Sequence, residues 1–435
     1  MLFAESRCVV SGFIIQGAAL TAAIACGMSS GAAYAQQTAP DPPAPVRVTW
    51  GERPAIRFGR IARIDIRLTL QADSRDSAVP AGLDESRVSW ARKRAGINGI
   101  VAGLFSFQVE HDLGDGGEWR DVYINYEQFD AVQIQAGKFK LPFSREQTTS
   151  PARIDFVYRS RAAEALAPGR DRGVMVHGRV VRNKLEYELG VFDHDGDNAR
   201  RSGADRVYGG RSVAARVTAR PFRSVRSAAR TLEVGAAGVW SEVSEGLSSL
   251  QGETPFGRDF YEPDLWVLGA QNRQGVEFRW RPGPFSVKSE YIRLTTERRS
   301  QSVEETDLSP TVADGWYVSG TWILTGERKV DGPESPRRPL PRGPGSIEAA
   351  VRLEGIEFSS TGPEDDGGEP SFSPRADIVR GNRLRALTLG VNWIPIRWVR
   401  VQFNAIRESL DDPTQGPLPA RTSYWDRVVR VQFHW

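Results

Sequence analysis

The stretch from Gln133 to Asn198 decides the fold. It opens with QIQAGKFKLPF (residues 133–143), continues through LAPGRDRGVMV (166–176) and closes with GVFDHDGDN (190–198). Two strand-like segments are separated here by about thirty residues without periodicity. A compact soluble domain rarely keeps so long a structureless loop unless the loop is functional. A large β-barrel can fold such a loop back into its lumen, where the loop narrows the pore.

The chain on both sides of this stretch alternates apolar and polar residues in segments of about ten, which is typical of barrel strands that cross a membrane. Residues 64, 66, 68 and 70 are Ile or Leu, whereas residues 63, 65, 67 and 69 are polar or charged. The final segment alternates in the same way and ends on Trp435. This ending resembles the signal by which outer-membrane barrels are recognised for assembly. The alternative is an ordinary edge strand.

About sixteen such segments can be counted. Their centres are Asp65, Arg92, Phe105, Ile124, Gln135, Val176, Glu188, Ala214, Ala236, Phe278, Val287, Ser319, Val351, Leu389, Val401 and Val431. An even number lets both chain ends lie on the periplasmic side. The sequence therefore predicts an all-β fold, a single large transmembrane antiparallel β-barrel over residues 56–435 with an inward-folded constriction loop.

The connections support this prediction, because short periplasmic turns should alternate with long outer loops. Short turns are expected at Asn98-Gly99 and at 128–130, 182–184, 282–284 and 395. Long loops are expected at 71–85, 141–171, 193–205, 241–272, 297–314, 359–382 and 409–424. Residues 325–344 are the exception, since they form a long piece where a short turn is expected. Either one hairpin is misplaced or that turn is extended.

Residues 1–35 have the features of a secretory signal peptide, with a mostly apolar stretch followed by the small-residue pattern Ala33-Tyr34-Ala35. A membrane anchor, or lipidation at Cys26, is the alternative. Residues 36–55 are expected to form a Pro-rich linker. Both cysteines, Cys8 and Cys26, lie in the signal segment. Cleavage would therefore exclude disulfides, thiol catalysis and cysteine metal sites from the mature chain.

Charge and motifs exclude other classes of function. A net charge of +3 is too small for the basic excess that nucleic-acid binding needs. None of the four histidines, His111, His177, His194 and His434, belongs to a recognisable nucleophile or metal-ligand motif. We therefore expect no enzymatic activity and no cofactor.

The three motifs quoted above resemble the phosphate-selective porin O and P family of bacterial outer-membrane channels. The resemblance implies that the segment between the first two motifs is the constriction loop. It also implies a homotrimer in the outer membrane, in contact with its lipid, each protomer having its own passive channel for small anions such as phosphate or polyphosphate-like solutes.

Selectivity should come from clustered charge, because inward-facing acids and bases nearly cancel along the strands. Guanidinium groups fit phosphate oxygens and stay protonated. The candidate pore-lining residues are Arg63, Arg67, Arg92, Arg94, Lys138, Lys140, Arg145, Arg153, Arg159, Arg161, Arg170, Arg172, Arg179, Arg279 and Arg281. Arg153, Arg159 and Arg161 are expected to matter most. About half of the loop arginines are expected to pair with lumen carboxylates instead. For the two lysines, snorkelling at the outer headgroup boundary is an equal alternative to a lumen role.

Three alternatives remain open at this point. Asp193, Asp195 and Asp197 with Asn198 suggest either a calcium loop or a structural turn. A pore for sugars or organic acids would fit the balanced lumen charge, and its aromatic slide would involve Tyr123, Phe139, Phe192 and Tyr317. A soluble β-sandwich that binds ligands without a channel is the third.

Overall fold

The structure is a computed structural model that describes residues 46–51, 53–79, 88–114, 116–198, 206–330, 335–360 and 370–435. The signal peptide predicted for residues 1–35 lies outside these ranges, as do residues 36–45 of the predicted linker.

Sixteen antiparallel strands form a closed barrel. They are β1 (Ala62–Asp76), β2 (Val88–Val101), β3 (Phe105–Asp112), β4 (Glu118–Phe129), β5 (Val132–Lys140), β6 (Arg170–Val180), β7 (Leu185–Phe192), β8 (Ser212–Ala219), β9 (Glu233–Ser248), β10 (Trp266–Trp280), β11 (Phe285–Arg298), β12 (Leu308–Ile323), β13 (Ser346–Ser360), β14 (Asn382–Ile396), β15 (Val399–Leu410) and β16 (Ser423–His434). Each predicted centre lies in one of these strands, in order. The barrel closes because β16 pairs with β1, from Arg427 opposite Asp76 to His434 opposite Thr69. The prediction of one closed sheet is confirmed, and the β-sandwich alternative is wrong.

Alternation along the strands gives the barrel an apolar exterior and a polar interior. On β14, Leu389 and Val391 face outward and are exposed, whereas Asn392 faces inward and is fully buried. On β15, Phe403 faces outward between the buried inward residues Gln402 and Asn404. An apolar outer band is what a lipid environment requires of a barrel.

Most connections at one end of the barrel are short, and this end is called here the turn end. Most connections at the other end are long, and this end is called here the loop end. The predicted turn at Asn98-Gly99 is wrong, because both residues lie within β2 and the turn follows at 102–104. Of the two alternatives left open for 325–344, the structure has the extended turn, since nothing between β12 and β13 forms a strand in the part that the structure describes. A second extended connection, 220–232, was not expected at the turn end.

The expected linker ends in ordered structure. Val46–Trp50 and Pro54–Phe58 form a hairpin, although residues 46–55 were assigned to the linker. The second hairpin strand pairs with residues 62–65 of β1, below the part of β1 that pairs with β16. The ordered sheet therefore begins about ten residues earlier than expected.

Other elements are short. Two helices, α1 (Arg145–Thr148) and α2 (Arg161–Leu166), lie between β5 and β6. Single turns of 3-10 helix occur at Ala228–Thr231 and Pro413–Gln415. Arg206–Val207, Gly252–Glu253 and Asp259–Tyr261 form minor strands. In the described part of the chain, no helix has the length and apolarity needed to cross a membrane.

Gly137, in the first motif, lies on β5 where the backbone of β4 approaches closely. Its φ is +134°, and an added Cβ would lie 2.2 Å from the carbonyl oxygen of Val122. We expect Gly137→Ala to separate the two strands locally and to destabilise the barrel by about 1–3 kcal/mol. The measurement is the temperature at which the folded barrel loses its characteristic gel mobility in SDS.

The matched control is Gly103→Ala. Gly103 also has a positive φ, +66°, but no atom would lie within 4 Å of its added Cβ. If the two variants lose equal stability, the close approach of the β4 backbone is not the reason for glycine at position 137.

Candidate functional site

The segment between β5 and β6, residues 141–169, folds into the barrel and is called here the inner loop. Ser144 caps α1 by accepting a hydrogen bond from the Gln147 N–H at 3.2 Å, and Ser160 caps α2 in the same way for Ala163 at 3.2 Å. The apolar side chains of this segment, such as Phe143, are buried in the core cluster. The inner loop is therefore a packed element of the lumen.

Carboxylates of the wall hold the first helix. Arg145 contacts Glu277 at 2.8 Å and Glu233 at 3.2 Å. The backbone N–H of Glu146 donates to the Glu290 carboxylate at 2.7 Å. These contacts attach the start of the inner loop to β9, β10 and β11.

The middle of the inner loop is held through its backbone. Carbonyl oxygens accept hydrogen bonds from Arg430 at Val157 (2.6 Å) and from Gln432 at Ala152 (3.0 Å). Asn404 accepts from the N–H of Val157 at 2.8 Å. Buried backbone groups need such partners, and irregular backbone at membrane depth is tolerated only where it is buried in protein or lines a cavity. The polar inward face of β15 and β16 supplies these partners.

Asp155 is the one loop carboxylate held by two lysines. Its carboxylate lies 2.5 Å from the ammonium of Lys288 on β11 and 2.9 Å from that of Lys329 in the extended turn. Lys329 also contacts Glu348 at 2.6 Å. Burial alone would raise the pKa of Asp155, but the two ammonium groups outweigh it and hold that pKa below its usual range. The carboxylate is thus kept ionised, and it connects the inner loop to the turn end.

The acidic turn after β7 fixes the other end of the inner loop. Asp195 contacts Arg273 at 2.8 Å, and Asp197 accepts from the N–H of Arg170 at 2.6 Å. The amide of Asn198 donates to the carbonyl of Glu164 at 2.7 Å. Among the residues that the structure describes, no group of three or more His, Cys, Asp or Glu could hold a metal ion. The contacts with Arg273, Arg170 and Glu164 attach this turn to the wall and to α2.

The three loop arginines expected to matter most have different surroundings. Arg159 is buried and donates to the carbonyls of Glu146 at 3.0 Å and Thr149 at 2.8 Å. Arg161 is buried as well and donates to the carbonyl of Thr254 at 3.1 Å. Both guanidinium groups thus satisfy backbone carbonyls and stabilise the inner loop. Arg153, in contrast, is the only exposed residue within 141–169, all of which are described.

Arg153 opens onto a cavity of about 230 Å³ between the inner loop and the turn end of the wall. Two carboxylates line it, those of Glu146 and Asp155. Eight basic residues line it as well: Arg145, Arg153, Arg279, Arg281, Lys288, Lys329, Arg397 and Arg400. Because basic residues outnumber acidic ones in its lining, this space is called here the basic cavity.

Four of these eight were predicted as site residues, namely Arg145, Arg153, Arg279 and Arg281. Lys288 and Arg400 were expected to face inward by strand parity but were not among the candidate pore-lining residues. Lys329 and Arg397 lie in turns, where parity gives no direction.

The other predicted residues lie away from the basic cavity. On the wall of β1, β2 and β6, inward-facing arginines are paired: Arg67 with Glu110 at 3.4 Å, Arg94 with Asp112 at 2.8 Å, Arg170 with Asp121 at 2.9 Å, and Arg92 with the side-chain oxygen of Gln71 at 2.8 Å. Arg63 pairs with Asp65 at 2.6 Å and Arg179 is exposed at the turn end. Lys140 donates to the carbonyl of Thr149 at 3.1 Å and supports the inner loop.

Lys138 and Arg172 do not face the lumen. They pair with each other in the β5–β6 register, on the same face as the outward residues Ile134 and Val176. Lys138 contacts Glu118 at 2.6 Å, and the side chain of Arg172 is 72% exposed. The pore-lining prediction is therefore wrong for both residues, which lie on the exterior near the loop end, and for Lys138 this agrees with the alternative position at the outer headgroup boundary.

The predicted aromatic candidates do not form a continuous slide. Phe139 packs edge-on against Phe192 at 5.4 Å and Tyr123 at 6.1 Å, and both phenylalanines are buried. Tyr317 lies apart, buried and donating to Glu290 at 2.8 Å. These rings pack the core around the base of the inner loop.

Comparisons with known proteins identify the fold and the family. The family model described as "Phosphate-selective porin O and P" matches residues 64–435. Porin O of Pseudomonas aeruginosa is 23% identical over 344 residues, covering 72% of this chain and 73% of that protein. OmpT of Vibrio cholerae, solved in its trimer form, superposes with a TM-score of 0.52 at 13% identity over 86% of this chain and 100% of that chain. The anion-selective porin from Comamonas acidovorans superposes with a TM-score of 0.51 at 10% identity over 86% of this chain and 100% of that chain.

Gly315 on β12 tests how α2 packs on the wall. A Cβ at this position would lie 2.7 Å from the Cβ of Ala162. We expect Gly315→Ala to displace α2 into the lumen at a cost of about 1–3 kcal/mol and to change single-channel conductance in planar bilayers. Gly320→Ala on the same strand is the control, because the nearest atom to its added Cβ is 3.9 Å away. Unchanged conductance in Gly315→Ala would contradict this packing.

The Asp155 anchor predicts a pH dependence. Because its folded pKa is depressed, its stabilising contribution is complete above the ordinary carboxyl pKa and is lost only as pH falls through the depressed value. Between pH 7 and about 4, amide hydrogen exchange in residues 150–158 should therefore show no loss of protection once corrected for intrinsic rates. Asp155→Asn should raise that exchange about tenfold or more at pH 7.

Asp193→Asn is the control for this experiment, because Asp193 pairs with the exterior residue Arg172. Equal exchange in Asp155→Asn and wild type would show that the lysine contacts do not hold the inner loop.

Proposed function

We propose, since the chain belongs to the phosphate-selective porin O and P family, that this outer-membrane porin conducts small anions passively, with phosphate among them. The observation that carries the proposal is the basic cavity, where eight basic side chains meet two carboxylates beside the inner loop. Charge of one sign in a cleft with low-dielectric walls concentrates ions of the opposite sign.

The carboxylates that contact these cations do not cancel them. Glu233 alone is shared by four arginines, Arg145, Arg220, Arg279 and Arg281, at 2.6 to 3.6 Å. Arg145 and Arg216 both contact Glu277. Positive charge therefore remains in excess on this side of the inner loop, even though acids and bases nearly balance along the strands.

Arg153 has the most direct role in this proposal. It is the exposed arginine of the inner loop and it faces the basic cavity. Its guanidinium can offer two parallel N–H groups to a phosphate and keeps its charge at any physiological pH. Arg159 and Arg161 hold the backbone that positions it.

A porin with a different preference, for organic acids or other small solutes, is the second candidate. The paired charges on the wall of β1, β2 and β6 favour it, because they offer ionic tracks of both signs. A sugar pore has less support, since the buried aromatic cluster presents no slide. We propose that neither version involves catalysis.

We further propose that the chain assembles as a homotrimer surrounded by outer-membrane lipid, each barrel having its own pore. The family and the trimeric form of a solved structure with the same fold support this assembly.

Planar-bilayer recordings across a salt gradient test the proposal. The wild-type channel should give a reversal potential that favours chloride and phosphate over potassium. Arg153→Glu should reduce the anion preference by roughly thirtyfold, since it changes the charge by two units and each unit at contact distance in water contributes about 1 kcal/mol. Arg226→Glu in the exposed turn 220–232 is the control and should behave as wild type.

Two results would contradict the proposal in different ways. A wild-type channel that prefers potassium would remove the anion function and leave the porin assignment intact. Unaltered selectivity in Arg153→Glu would place the selective element outside the basic cavity.

A further inference from the structure

Two arginines stand on the barrel exterior where the apolar band ends. Arg385 on β14 and Arg407 on β15 face outward and are exposed. Toward the turn end, the outward residues that follow them are apolar, among them Leu389 on β14 and Phe403 on β15. The two arginines therefore mark the loop-end border of the lipid-facing surface.

The strand register places these side chains close together. Arg407 lies opposite Leu387, and Arg385 lies opposite Ser409, so the two arginines are diagonal neighbours. Arg427 on β16 continues the diagonal, because it lies opposite Ala405. Diagonal neighbours are roughly 7–8 Å apart between Cα atoms, within reach of long side chains. The three form a stripe across adjacent strands.

Among the described residues, a carboxylate neutralises only one arginine of the stripe, Arg427. Arg427 contacts Asp76 at 3.1 Å, and the nearby Arg383 contacts Asp411 at 3.3 Å. Within the described ranges, Arg385 and Arg407 make no hydrogen bond or ion pair through their side chains. A cation at a membrane boundary is stabilised by reaching polar or anionic headgroups.

We propose that Arg385 and Arg407 bind phosphate groups of a phosphorylated glycolipid in the outer leaflet. Two guanidinium groups at this spacing can share one phosphate or hold two on the same headgroup. The acyl chains of that lipid would lie along the apolar band that begins two residues below each arginine. The proposal rests on the outer-membrane location of the chain and is independent of which ions the pore conducts.

Native mass spectrometry of the folded, delipidated protein in detergent tests the proposal. The probes are lipid A with two phosphates and the same lipid without phosphate. Wild-type protein should bind the phosphorylated form at least about tenfold more tightly than the other. The double variant Arg385→Gln/Arg407→Gln should lose about tenfold in affinity for the phosphorylated form.

Two further variants serve as controls. Arg226→Gln/Arg230→Gln removes two exposed arginines at the turn end and should bind as wild type. Arg385→Lys/Arg407→Lys keeps the charge and should retain most of the binding. If the glutamine variant fails to fold, the comparison of the two lipids on wild-type protein still decides the test.

Three results would overturn the proposal. One is equal binding of the two lipids by wild-type protein. Another is equal binding of the phosphorylated lipid by the glutamine variant and the lysine variant. The third is a fall in oligomeric mass of the folded glutamine variant without loss of lipid binding, which would assign the arginines to a contact between copies of this chain.

Discussion

The need to satisfy backbone groups in the lumen is the constraint on which this structure depends. The inner loop, 141–169, is irregular apart from its two short helices and lies inside the barrel, where a carbonyl without a partner costs free energy. The wall meets this need with amides and guanidinium groups, as at Gln432 to Ala152 and Arg430 to Val157. Much of the polar interior of β13 to β16 thus serves the inner loop, which explains why so many inward charges do not face an open channel.

The same constraint separates the arginines by role. A guanidinium can neutralise a carboxylate, satisfy carbonyls or face solvent, and its position in the fold decides which. Arg159 satisfies carbonyls, Arg170 neutralises Asp121, and Arg153 is exposed. Local excess charge therefore arises where the turn-end cations converge on few carboxylates, while the sum over the whole lumen stays close to zero.

The strands were predictable from the sequence because alternation is a local property that every barrel strand repeats. The sixteen centres and the inward course of residues 141–169 follow from it together with the family motifs. Contacts were less predictable, because Lys329 reaches Asp155 from a turn that has no periodicity. The direction of Lys138 was left open between the lumen and the outer headgroup boundary, and the register of β5 with β6 places it on the exterior. The hairpin at 46–58 was hidden by the Pro-rich composition beside it.

The attachment of Asp155 to Lys288 and Lys329 comes from the end of the barrel opposite the large loops. Surface loops vary more in sequence and tolerate more insertions than the elements that they connect. Here the middle of the inner loop is held by β11 and by the extended turn at 324–345. The large loops can thus change in length and sequence without disturbing the anchor of the element that fills the lumen.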